Sequence, residues 1–105
     1  MGNPGYSGMA LEFYKRYTKD IDGLPQTDKL YYNKETDTYY SQNRLGYLHI
    51  YKPKAVRLNG KIIKYSCNDF LLTGNGDLKD FGLIGSYKSL EELKRDFDKK
   101  VKGEQ

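Results

Sequence analysis

The sequence predicts an α+β fold: a small antiparallel β-sheet of four to six strands, with hairpins near residues 29–41 and 54–66, and one C-terminal α-helix over about 90–102 packed on one face. Three observations carry that expectation. Ser89 and Glu92 are spaced as a capping box, and Leu90, Leu93, Phe97 and Val101 follow as one apolar stripe of helical period. Asn59-Gly60 stands between two strand-like runs, 55–58 and 61–65, and suits a two-residue type I′ turn, which needs positive φ at both positions. Tyrosine-rich segments 29–33 and 38–41 flank the polar loop Lys34-Glu35-Thr36-Asp37.

At 105 residues the chain can bury one core, and its 11 tyrosines and 4 phenylalanines, with no tryptophan, make that core aromatic. Residues 10–105 read as a single domain. Residues 1–9 read as a flexible leader or cloning remnant, because the start is rich in Gly, Asn, Pro and Ser and a second methionine, Met9, precedes the first apolar pattern. From 10 to 18 the spacing Ala10, Phe13, Tyr17 suits a helix, while Leu11, Phe13, Tyr17 suits a strand. Asp20 to Pro25 reads as a turn.

In the first hairpin a four-residue loop sets Tyr32 against Tyr39 and Tyr31 against Tyr40, so both sheet faces carry aromatic pairs. Residues 47–51 alternate, with Leu48 and Ile50 on one side and Tyr47, His49 and Tyr51 on the other, and Pro53 is expected to close the strand. Around Asn59-Gly60 the register places Val56 opposite Ile63 and Leu58 opposite Lys61 on a core side. Arg57 then faces Ile62, and Ala55 faces Lys64, on a cationic side. A separate strand over 69–73 leads to a turn at Gly74 and Gly76, and Phe81, Leu83 and Tyr87 mark a last strand before the helix. On that helix Glu91–Arg95, Asp96–Lys100 and Asp98–Lys102 are spaced for i,i+4 contacts.

The one strong departure from a mixed surface lies in the middle of the chain. Residues 38–68 form a run of 31 without Asp or Glu, although 14 acids occur overall. This run holds Arg44, Lys52, Lys54, Arg57, Lys61 and Lys64, with Tyr47 and Tyr51 among the interleaved tyrosines. Cations at strand spacing can follow phosphates while tyrosines contact sugars or bases. The bland alternative is a solvated basic face that keeps sheet edges from pairing with other chains, and the formal net charge of +4 suits either.

Other chemistries have thinner support. With one histidine and one cysteine, His49 and Cys67, the chain cannot assemble a zinc site from those residue types. No glycine-framed motif marks Cys67 as a nucleophile, and His49 with Lys52, Arg57 and Tyr51 is the only set suggesting a metal-independent ribonuclease. Asp20-x-Asp22-Gly23 begins like a calcium loop, but Tyr31 stands where the final acid belongs. Asp77 and Asp80 suit turns, and Gly74-Asn75-Gly76 lacks the downstream residues of a phosphate loop.

A three- or four-stranded antiparallel sheet whose last strand passes through Gly85-Ser86-Tyr87-Lys88-Ser89 into the helix Leu90-Glu91-Glu92-Leu93 is similar to the arm-binding domains of tyrosine integrases. That resemblance, which covers architecture and the start of the helix, implies a sheet laid in the major groove of DNA.

The leading expectation is therefore a non-enzymatic domain that binds nucleic acid, with Arg44, Lys52, Lys54, Arg57, Lys61 and Lys64 on phosphates and Tyr47 and Tyr51 against sugars or bases. The alternative is a phage- or mobile-element-type inhibitor or adaptor gripping a host protein through Tyr31, Tyr40, Tyr47, Tyr51 and Arg57. No cofactor, metal or membrane partner is expected. The sequence shows no apolar run long enough to span a bilayer and no signal-peptide pattern, so the cytoplasm is the expected compartment.

Overall fold

The structure is a computed structural model and describes residues 6–103. Helix α1 (Gly8–Tyr17) is followed by strands β1 (Tyr31–Asn33), β2 (Thr38–Gln42), β3 (Leu48–Leu58), β4 (Lys61–Leu72) and β5 (Leu78–Tyr87), and helix α2 (Leu90–Val101) ends the fold. The strands form one open antiparallel meander in the order β1-β2-β3-β4-β5. As expected, the class is α+β with a C-terminal helix on the sheet.

Alternation along β2 explains why two helices fit on one small sheet. Tyr39 points into a cluster with Cys67, Leu93 and Phe97 beneath α2, whereas its neighbour Tyr40 joins Ala10, Tyr14, Leu48, Ile50 and Leu72 beneath α1. The helices therefore lie on opposite faces. The register Tyr31 with Tyr40 and Tyr32 with Tyr39 is the one the loop length predicts, and each pair brings its rings within contact on its own face.

The ambiguous segment 10–18 resolves as helix, because Ala10, Tyr14 and Tyr17 recur at helical spacing and are buried together. Its last carbonyls, at Arg16 and Tyr17, accept the side-chain amide of buried Asn33, whose oxygen in turn accepts the Thr36 N–H. One side chain thus satisfies the helix terminus and the β1–β2 turn. The leader expected over 1–9 is corrected from Tyr6 onward; residues 1–5 lie outside the described residues. Tyr6 is buried, donates its hydroxyl to the Leu72 carbonyl at 2.7 Å and accepts the Leu48 N–H at 2.9 Å. A glycine- and serine-rich neighbourhood concealed one core tyrosine.

Three details of the central hairpin also differ from expectation. Pro53 does not close a strand but lies within β3 opposite Cys67; β2 ends opposite Tyr51, so no β2–β3 ladder bond is lost at the proline. Leu58 with Lys61 and Arg57 with Ile62 pair as predicted, and Asn59 and Gly60 have φ of 52° and 79°. Beyond them a bulge makes Ile63 an extra residue, so Val56 meets Lys64 and Ala55 meets Tyr65. The segment 69–73 is not a separate strand, because β4 runs unbroken from Lys61 to Leu72.

At α2 the Ser89 hydroxyl accepts the Glu92 N–H, and the Glu92 carboxylate reaches back to the Lys88 N–H. Asp96 pairs with Lys100 as spaced, but Asp98 accepts the Tyr39 hydroxyl at 2.8 Å instead of meeting Lys102. Tyr6→Phe leaves the Leu48 N–H without its partner, and the expected loss is about 1–3 kcal/mol of unfolding free energy, read from urea denaturation. An unchanged urea midpoint would show that the N-terminal segment adds nothing to the core.

Candidate nucleic-acid interface

Cross-strand partners in an antiparallel ladder share a face, as do residues two apart along a strand. Ile50 lies on the α1 face, so Lys52, Lys54, Val56 and Leu58 follow it there, as do their β4 partners Asn68, Ser66, Lys64 and Lys61. The Lys52 ammonium lies 5.7 Å from the ring centroid of Phe70, itself packed on the α1 cluster, in agreement with that placement. Helix α1 buries the end of the face around Leu48, Ile50 and Leu72. From Lys52 outward the face carries Lys52, Lys54, Lys61 and Lys64, and among the described residues none of these four has a carboxylate within 4.0 Å.

The other predicted members do not join them. Arg44 sits in the β2–β3 turn with its Nε 3.4 Å from Asp28, at the opposite end of β3 from Lys61. The Tyr47 ring meets Tyr6 edge-on at 6.1 Å beside the α1 core. Tyr51 lies on the α2 face, its hydroxyl 2.9 Å from Ser41 and its ring 6.1 Å from Phe97, and burial pushes its phenol up from the ordinary value. Arg57 shares the face of Ile62, opposite to the lysines, and donates to the Gly60 carbonyl at 3.4 Å. The expected surface of six cations and two tyrosines is thus corrected to four lysines on one face, with Arg57 behind them.

The alternative tyrosine surface is likewise divided. Tyr31 stacks on fully buried Tyr40 on the α1 side, Tyr51 faces α2, and Tyr47 lies at the far turn from Arg57.

The set of His49, Lys52, Arg57 and Tyr51 is not assembled either. His49 is held on the α2 face with Nδ1 2.8 Å from Asp69 and Nε2 3.0 Å from the Asn43 side-chain nitrogen. Because the Asn43 oxygen accepts the N–H groups of Leu45 and Tyr47, its amide must donate to Nε2, which leaves the imidazole proton on Nδ1 for Asp69. Both ring nitrogens are engaged, and Lys52 projects from the other side of the sheet. Cys67 is buried, and desolvation pushes its thiol up to about 11, so it stays protonated. Beside this polar cluster a cleft of about 890 Å³ opens between the end of α2 and the sheet, with Ser41, Tyr51 and Asp69 in its wall. Among the described residues no three His, Cys, Asp or Glu side chains converge as metal ligands.

The sequence pattern does not mark Leu58, Ile62 and Ile63 as surface residues, since it places Leu58 and Ile63 on a core side and Ile62 opposite Arg57. They are 59%, 43% and 52% exposed. The signal was present: large aliphatics flank Asn59-Gly60 on both faces, whereas a half-buried hairpin alternates.

No protein-family model matches the chain, and comparison with curated proteins and with solved structures finds no significant match. The likeness to integrase arm-binding domains read from the sequence gains no support from these comparisons.

Four phenols bound to carboxylates hold β1, β2 and β5, the strands on either side of the pair that carries this surface. Tyr32, Tyr39, Tyr40 and Tyr87 donate to Asp37, Asp98, Asp20 and Asp96 at 2.6–2.8 Å. The bond to Asp37 raises Tyr32 to about 12, and burial with the carboxylate partner raises the other three well above the ordinary value of 10.0. A phenol raised in the folded state contributes stability that is complete below pH 10 and is lost as pH climbs toward the folded value. In an ultraviolet titration these four tyrosines should stay protonated until a cooperative unfolding step above pH 10. Smooth ionisation of all tyrosines near pH 10 with the fold retained would contradict this placement.

Proposed function

We propose that this domain is a non-enzymatic duplex-DNA-binding module that works through the cationic face of the β3–β4 hairpin. One observation carries the reading: Lys52, Lys54, Lys61 and Lys64 lie along one face that no helix covers, free of carboxylate partners among the described residues, while α2 packs on the opposite face of the same strands only as far out as Tyr65. Duplex DNA presents one negative charge per roughly 1.7 Å of axis, so a row of lysines along two strands meets a phosphate at each step. A two-stranded ribbon enters a groove of B-DNA, major or minor, whereas the deep, narrow major groove of A-form RNA excludes it. Asn68 and Ser86, on that face, supply polar groups that hydrogen-bond bases or phosphates. Among the described residues no helix is long and apolar enough to cross a membrane, and the single buried thiol suits the reducing cytoplasm.

A second reading, the phage- or mobile-element-type adaptor for a host protein, draws on a different feature. Phe81, Leu83 and Ile84 stand about half exposed along β5. A stoichiometric protein partner that survives nuclease treatment and is lost with Leu83→Ser would favour it.

Neutralising four phosphates gives a slope of log affinity against log salt of about −3.6 on duplex DNA. Lys61→Ala/Lys64→Ala should reduce that slope to about −1.8, and Lys34→Ala, in the β1–β2 turn, should leave it unchanged. A flat salt response of the unaltered protein would overturn the proposal.

A further inference from the structure

Tyr65 is the last β4 residue toward the tip with a neighbour on β5, which ends at its partner Tyr87, and β2 has already stopped opposite Tyr51. Residues 56–64 therefore project as a bare two-stranded ribbon, roughly 15 Å long. A bare ribbon is ordinarily polar, because nothing shields its side chains. This one carries Leu58 on the α1 face, Ile62 on the opposite face and Ile63 at the bulge between them, all more than two-fifths exposed. Apolar groups on both faces of a tip are covered together when the tip enters between two apolar surfaces. Lying on one surface covers half of them.

The charges around the tip identify what it enters. Lys61 and Lys64 stand on one face and Arg57 on the other, so phosphates on both walls of a groove can be met at once. Lys52 and Lys54 extend the cationic row back along β3, Lys52 roughly 20 Å from Leu58. A bilayer inserted by the same tip offers a headgroup layer of roughly 5–8 Å per leaflet, and at physiological salt its field decays over about 8 Å, leaving the rear lysines without partners. A duplex presents phosphates over the whole span.

We infer that Leu58, Ile62 and Ile63 form a wedge that enters between base steps and kinks the duplex, so that the ribbon is a DNA-bending element as well as a docking one. The inference rests on the DNA-binding reading above. Apolar wedges of this kind unstack a step and bend DNA by about 20–90°, and the deformation is easiest where the step is flexible or already unpaired. A duplex with a central mismatch should therefore bind more tightly than its perfect counterpart.

The test uses the full chain and Ile62→Ala/Ile63→Ala, whose exposed positions leave the cores intact, on end-labelled duplexes with and without one central mismatch. Energy transfer between the ends reports bending, and titration reports affinity. The unaltered protein should raise the transfer and prefer the mismatched duplex severalfold. The double variant should bind both duplexes alike, with the salt slope retained and the transfer near that of free DNA. Binding by the unaltered protein without bending, or equal bending by the variant, overturns the wedge while leaving the DNA-binding reading standing. No duplex binding at all overturns both, and capture of anionic vesicles in its place assigns the tip to a lipid surface.

Discussion

A tyrosine buried in a core brings a hydroxyl that must find a partner, and in a chain without tryptophan that constraint recurs throughout the interior. Here four of the hydroxyls find carboxylates at the margins of the sheet. Tyr40 reaches Asp20 just after α1; Tyr39 and Tyr87 reach Asp98 and Asp96 on α2; Tyr32 reaches Asp37 in its own turn. Each bond joins a strand to a neighbouring element in a defined orientation, and no buried side-chain polar atom among the described residues is left without a partner. The same bonds hold Asp37 and Asp96 below the ordinary carboxylate range, chiefly through the tyrosine hydroxyls.

This arrangement separates the charges. The acids that bind phenols belong to α2 and the turns, while residues 38–68, which supply β2, β3 and most of β4, contain none. The projecting hairpin is consequently cationic, and the four lysines on its α1 face have no internal acid competing for them among the described residues. Core chemistry and surface charge are thus two results of one placement of aspartates.

Local signals made much of the fold legible. The capping box, the apolar stripe of α2, the Asn59-Gly60 turn and the tyrosine pairing of the first hairpin each depend on residues close in sequence. What escaped depends on long-range contacts. Tyr6 reads as part of a loose leader until Leu48 and Leu72 are brought to it, and Pro53 reads as a terminator until β2 is seen to end before it. The acid-free run was visible as composition, yet whether its cations converge was set by strand parity and by one bulge. Those factors kept Lys52, Lys54, Lys61 and Lys64 together, turned Arg57 to the other face and left Arg44 at the far turn.

Pro53 and the irregularities of β5 have one more consequence. An open sheet offers unpaired backbone groups along both margins, and a second chain can add a strand to either. On one margin, past the end of β2, the row of donors is broken where Pro53 has no N–H; on the other, β5 is interrupted by register shifts near Gly82 and Gly85. Strand addition needs an even run of donors and acceptors, which neither margin supplies. The molecule is thereby guarded against self-templated aggregation, even though its longest hairpin displays aliphatic side chains to water.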